Sequence, residues 1–131
     1  MRYLADTHLA LWLIAAPERL SSRAKTMMEN PENEWYLSLI SVWEVALKHA
    51  KRPDRLPMSA EEFHGHCARA GLSDLSLELT HVYRAGALPT QGVHGDPFDR
   101  ILLAQASCED MHLVTHDSAF EDYHDEHVVL V

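Results

Sequence analysis

Four carboxylates stand where a chain of alternating strands and helices turns from one element to the next: Asp6, Glu44, Asp99 and Asp117. Each has an ordinary explanation. Acids near helix starts satisfy free backbone N–H groups and suit the positive end of the helix dipole. On that reading Asp6 caps the first helix, and Glu44 completes a Ser-x-x-Glu capping box begun by Ser41. Asp117 then caps the last turn. In Asp96-Pro97-Phe98-Asp99, Asp96 is the cap, Pro97 suits the first helical position, and Asp99 falls in the first turn. Four acids together ask for more, because Ser, Thr or Asn would cap as well. Carboxylates sharing one cleft repel and raise one another's pKa. A hard divalent cation with oxygen ligands removes that penalty. Mg2+ or Mn2+ held in this way activates water and stabilises a displacement at phosphorus.

Whether the acids meet depends on the elements that carry them. Arg2–Ala5 reads as a strand, and Leu9, Leu11, Trp12, Leu13 and Ile14 as a buried helix ended by Pro17. Ser21–Asn30 forms a second helix, stopped at Pro31. Residues 35–40 read as a buried strand, and Val42–His49 as the helix after it. Ser59–Ala70 is a helix with its own Ser-x-x-Glu box, Ser59 and Glu62, and Gly71 stops it. Leu75–Leu79 alternates like a strand, Thr80 caps a helix to Ala87, and residues 88–95 form a loop. The helix Pro97–Cys108 leads to the strands Met111–Thr115 and Val128–Val131. This alternation predicts a three-layer α/β/α domain with a mostly parallel central sheet. Ligands of such sheets sit beyond the C-terminal strand ends. Asp6, Glu44 and Asp117 share that edge. Asp99 joins them if its helix starts there, as a connection into Met111–Thr115 requires.

At 131 residues the chain is one domain, 1–131, able to bury a core. Its formal net charge of −9 argues against binding nucleic acid through a broad basic surface. It leaves room for an acidic centre that reaches phosphate through a cation. No apolar run approaches the ~20 residues of a membrane span, and the N-terminus reaches Asp6 too soon for a signal peptide. Cys67 and Cys108 make no metal-ligand spacing. The expected setting is reducing and cytoplasmic, with no membrane contact.

Four segments, in this order, resemble PIN-domain ribonucleases of the VapC toxin type over essentially the whole chain. They are Leu4-Ala5-Asp6-Thr7-His8, Ser41-Val42-Trp43-Glu44-Val45-Ala46-Leu47-Lys48, residues 96–106 from Asp96-Pro97-Phe98-Asp99-Arg100 to Ala106, and Leu113-Val114-Thr115-His116-Asp117. The resemblance implies a PIN-like fold and a metal-dependent endoribonuclease. Its acidic quartet falls on Asp6, Glu44, Asp99 and Asp117, with Mg2+ or Mn2+ as cofactor. Asp96 is an additional acid, ligand or cap. The resemblance further implies a homodimer, an RNA substrate and neutralisation by a cognate antitoxin.

Thr7 and Thr115 flank the acids, and Arg100 could pair with a carboxylate or a phosphate. Lys48, Lys51, Arg52 and Arg55 are the densest basic cluster, either solvated charge or a phosphate-tracking patch for RNA. His8, His94 and His116 lie near the motifs and read as peripheral. His64-Gly65-His66-Cys67 lacks a second ligand pair, so no zinc is expected. Trp12, Trp35 and Trp43 are expected in the core. Leu13, Leu20, Met27 and Met28 are core residues, or a groove for a partner. A phosphoacceptor signalling domain would want a Lys after the last strand, and residues 127–131 have none. A haloacid-type phosphohydrolase would want an acid two positions after Asp6, where His8 stands. An inactive nucleic-acid-binding module has no use for four acids. A non-toxin PIN nuclease of RNA processing shares every motif above.

Overall fold

The computed structural model describes residues 1–131. Five strands form one sheet: β1 (Arg2–Ala5), β2 (Glu34–Ser38), β3 (Leu72–Leu75), β4 (His112–Thr115) and β5 (Val128–Leu130). All neighbours pair in parallel, in the order β3-β2-β1-β4-β5. Six helices connect them: α1 (Thr7–Ala15), α2 (Ser22–Glu29), α3 (Leu39–Lys51), α4 (Ala60–Arg69), α5 (Leu79–Ala87) and α6 (Pro97–Cys108). Two 3-10 segments, Pro17–Arg19 and Ser118–Tyr123, complete the chain.

Side chains alternate between the two sheet faces, and the core divides accordingly. Ala5, Trp35, Leu37 and Val114 pack on one face with Leu9, Ala24, Phe63 and Cys67 from α1, α2 and α4. Leu4 and Leu113 pack on the other with Leu102, Leu103 and Ala106 of α6 and Phe120. The expected α/β/α layering is present. No helix is long and apolar enough to cross a membrane.

Three expected elements move, each for a local reason. The strand expected at residues 35–40 ends at Ser38, whose hydroxyl accepts the Ile40 N–H at 3.0 Å and starts α3 at Leu39. Ser41 and Glu44 therefore form no capping box, and Glu44 sits in the second turn. The strand expected at Leu75–Leu79 is Leu72–Leu75, because Gly71 (φ 99°) turns the chain straight into the sheet edge. Leu79 already opens α5, where the Glu78 N–H donates to His81 Nδ1 at 3.0 Å and Thr80 is helical, not a cap. The Ser59–Glu62 box is present as expected.

The expected core takes Trp35, but Trp43 is 54% exposed and packs edge-to-face with Phe98, with ring centroids 5.2 Å apart. Trp12 is half-buried, between the His116 ring and the Arg19 guanidinium. Leu20 is buried, while Leu13, Met27 and Met28 are partly buried against the core.

The strand order reverses between β1 and β4, so the loops leaving them diverge and open a crevice. Asp6 and Asp117 are the residues immediately after, or two beyond, these strand ends.

Candidate active site

Asp6 stands at the N-cap position of α1, yet its side chain makes no cap hydrogen bond. Its backbone N–H donates to the Val114 carbonyl at 3.0 Å, extending the β1–β4 ladder by one rung. Its side chain is thereby turned toward β4, where Thr115 Oγ1 donates to Asp6 Oδ2 at 2.8 Å. Asp6 is 3% exposed, and its second oxygen, Oδ1, is buried with no partner. Burial raises its pKa above the usual carboxylate value, the Thr115 bond opposes that, and the neighbouring Glu44 charge adds to it.

Glu44 is 4% exposed on the inner side of α3. Thr7 Oγ1 lies 2.8 Å from both Glu44 Oε1 and Ser41 Oγ. A hydroxyl has one proton, so Thr7 donates to the carboxylate and accepts from Ser41. Lys48, one turn on, donates to Glu44 Oε2 at 2.5 Å. The capping explanation thus fails for both buried acids.

The second pair of acids is more open. Asp99 Oδ2 lies 2.5 Å from His94 Nε2. Burial, together with the Asp6 and Asp96 charges, pushes the Asp99 carboxyl up to about 6 against the opposing His94 bond. His94 is raised as well, chiefly by the bond to Asp99, with Asp117 and Asp96 adding to it. Asp117 is exposed and does cap: its Oδ1 accepts the Ala119 N–H at 2.9 Å, and its own N–H donates to Thr115 Oγ1 at 3.0 Å. Donor atoms of His94, Asp99 and Asp117 lie within 4.8 Å of one another. Asp96 is exposed and caps α6 through the Asp99 N–H at 3.0 Å; it is not among those three.

The fold therefore sets Glu44 beside Asp6, Asp6 beside Asp99, and Asp99 beside Asp117 along one edge. Several other sequence candidates fall elsewhere. Arg100 pairs with no carboxylate. Its guanidinium donates to the carbonyls of Ala85 (2.8 Å), Leu88 (3.1 Å) and Pro89 (2.6 Å) and ties down the loop before α6. Lys48, grouped by sequence with the RNA-facing cations, belongs to Glu44. Arg52 pairs with Asp54 at 3.0 Å, whereas Lys51 and Arg55 form no ion pair. All four cations nevertheless line one cleft of about 480 Å³ with His8, Leu11 and Leu56. Two roles escaped the sequence reading, which placed Lys48 in the basic cluster and His94 at the periphery. Lys48 was legible as an i,i+4 partner of Glu44. His94 was not, because it reaches Asp99 across the Pro97 turn, where no periodicity applies.

The same fold recurs in known proteins. The PIN domain family matches residues 3–126. Ribonuclease VapC22 of Mycobacterium tuberculosis is 30% identical over 118 residues, 87% of this chain and 85% of that protein. Among solved structures, VapBC2 from Rickettsia felis, bound to a DNA fragment from its promoter, superposes with a TM-score of 0.69 at 18% identity. That match covers 100% of this chain and 98% of the other. VapBC-1 from nontypeable Haemophilus influenzae gives 0.68 at 17% identity, covering 99% and 98%. A toxin–antitoxin complex from Klebsiella pneumoniae gives 0.62 at 24% identity, covering 97% and 95%. The match over nearly the full length, on a fold whose topological switch gathers the acids of all four motifs, places the chain in the PIN-domain family, of the VapC type.

Proposed function

We propose that the protein is a divalent-cation-dependent endoribonuclease and the toxin of a toxin–antitoxin pair. The single observation that carries the metal reading is Asp6 Oδ1, a carboxylate oxygen buried without a partner beside a second raised carboxylate. An unpaired buried carboxylate oxygen costs several kcal/mol unless something positive meets it. The donor set is oxygen-rich and fits Mg2+ or Mn2+. Asp6 and Asp99 would hold the ion, with Asp117 and Glu44 as further acids of the site. Such an ion supplies Lewis-acid stabilisation at a phosphate and lowers the pKa of water.

The chain's own residues do the positioning. Thr115 fixes Asp6 so that Oδ1 remains free, and Thr7 with Lys48 fixes Glu44. Lys51 and Arg55 carry unpaired positive charge in the cleft beside His8, two residues from Asp6. A strand of RNA would lay its phosphates there, so a locally basic cleft serves an otherwise acidic protein. Cleavage of single-stranded RNA should start with Mn2+ or Mg2+ and stop with EDTA. RNA that stays intact with either ion would remove this reading.

For partners, we read two apolar surfaces. Leu39, Trp43 and Leu47 form an exposed row on α3, and Leu79, Val82 and Tyr83 one on α5. The α3 residues are spaced one helical turn apart, Val82 and Tyr83 both lie one turn from Leu79, and the two rows suit a homodimer face. Trp43→Glu should convert a dimer to monomers in sedimentation; an unchanged mass would relocate the interface. A second cleft, about 290 Å³, is lined by Leu13, Met28, Trp35 and Leu72. It suits apolar side chains of an antitoxin whose Arg enters the acidic site, bidentate on a carboxylate. Both cysteines are free, consistent with a reducing, cytoplasmic setting.

A further inference from the structure

His94 lies outside the acidic motifs, and its geometry asks what else it does. The imidazole Nε2 points at Asp99 Oδ2, and Asp117 stands close enough for all three donor atoms to fall within 4.8 Å. Opposite ligands of an octahedral divalent ion stand about 4 Å apart. Three atoms that close can surround one ion after small side-chain rotations.

The ring is also held independently of Asp99. The Tyr123 hydroxyl donates to the His94 carbonyl. The ring packs edge-on against Phe120, with centroids 5.8 Å apart and planes at 66°. Arg100 anchors the same loop through the Leu88 and Pro89 carbonyls. A side chain fixed by its own backbone and packing is preorganised, which is what a ligand requires. The unpartnered Asp6 oxygen is a separate sign that something positive belongs at this edge.

We propose that His94 supplies a nitrogen ligand to the cation centre, completing the half formed by Asp99 and Asp117. This rests on the cation reading above. A nitrogen donor weights the site toward Mn2+ and other transition ions over Mg2+, which takes oxygen almost exclusively. The hydrogen bond to Asp99 alone would be made equally well by a histidine that only neutralises that acid. The test must therefore separate a ligand from a neighbour.

Electron spin-echo envelope modulation does so, because directly bound 14N modulates the Mn2+ echo. Tag-free, metal-stripped protein is loaded with one equivalent of Mn2+. Wild type and His8→Gln should show the nitrogen modulation, and His94→Gln should lose it while binding Mn2+ about 10-fold more weakly. His94→Asp, which returns an oxygen donor, should recover affinity without the modulation. Bound Mn2+ with no nitrogen in wild type, or nitrogen that persists in His94→Gln, would overturn the ligand role and leave the cation centre standing. No Mn2+ bound to wild type would overturn both.

Discussion

The two halves of the acidic edge are built differently. Asp6 and Glu44 are almost fully buried, and each is held by a hydroxyl from a neighbouring element, Thr115 on Asp6 and Thr7 on Glu44, with Lys48 of the same helix also on Glu44. Their elements, β1 and α3, contribute to the core on both sheet faces. Asp99 and Asp117 sit at a helix start and a loop, partly open to solvent, with His94 as the only charged partner of Asp99. In the first half Lys48 balances Glu44 within the fold, while Asp6 keeps one buried oxygen unpartnered. In the second, Asp99 is left raised by burial and by the neighbouring acids, a state that a cation would relieve. A buried charge is costly unless paired, so the unpartnered oxygen of Asp6 and the raised Asp99 mark where the edge is incomplete.

The largest expected effect comes from breaking the open half. Asp99→Asn keeps the size and the hydrogen bond to His94 but removes the charge. Metal-ion stabilisation is worth several kcal/mol, so cleavage should fall by roughly three orders of magnitude. The metal-free variant should melt no lower than wild type, because a repelled carboxylate has been neutralised. Full activity in Asp99→Asn would erase the difference between the halves.

Breaking the closed half should cost stability first. Thr7→Val is nearly isosteric and strands both Glu44 Oε1 and Ser41. A buried group left unsatisfied costs about 1–3 kcal/mol, read as a lower midpoint in urea. Cleavage should drop about 10- to 100-fold through a misplaced Glu44, and Thr7→Ser should restore most of both. A Thr7→Val protein as stable as wild type would mean that this half is not pre-paired.

The smallest effect is the pH dependence of the metal-free protein. The Asp99 carboxyl is raised from 3.8 to about 6, so the folded state binds a proton more tightly than the unfolded one. That contribution is present at low pH and is lost as pH rises from about 4 to 6. His94 is raised above 6.5, so its contribution is full below that value and is lost as pH climbs through the raised one. Both losses run the same way. In EDTA the melting temperature should fall between pH 5 and 7.5 by about 4 °C, on the order of 1 kcal/mol after solvent screening. With Mn2+ the slope should reverse, because an ion requires the deprotonated groups. A flat profile in EDTA would show that the open half carries no stored repulsion.

Local signals in the chain determined much of this protein. Strand–helix alternation set the parallel α/β sheet, Asp96-Pro97 set the start of α6, and Ser59 with Glu62 set the start of α4, because these depend on neighbours within a turn. Asp6 at a strand end was legible for the same reason. Tertiary structure alone decided whether each acid is a cap or a charge in a cleft. That choice turns on contacts across more than 100 residues, as between Asp6 and Thr115, or across 37, as between Thr7 and Glu44. It also assigned Ser38 rather than Ser41 as the α3 cap, turned Trp43 outward, and spent Arg100 on loop carbonyls. Local spacing says which groups a residue could satisfy. Burial and the partners brought in by other elements decide which one it does.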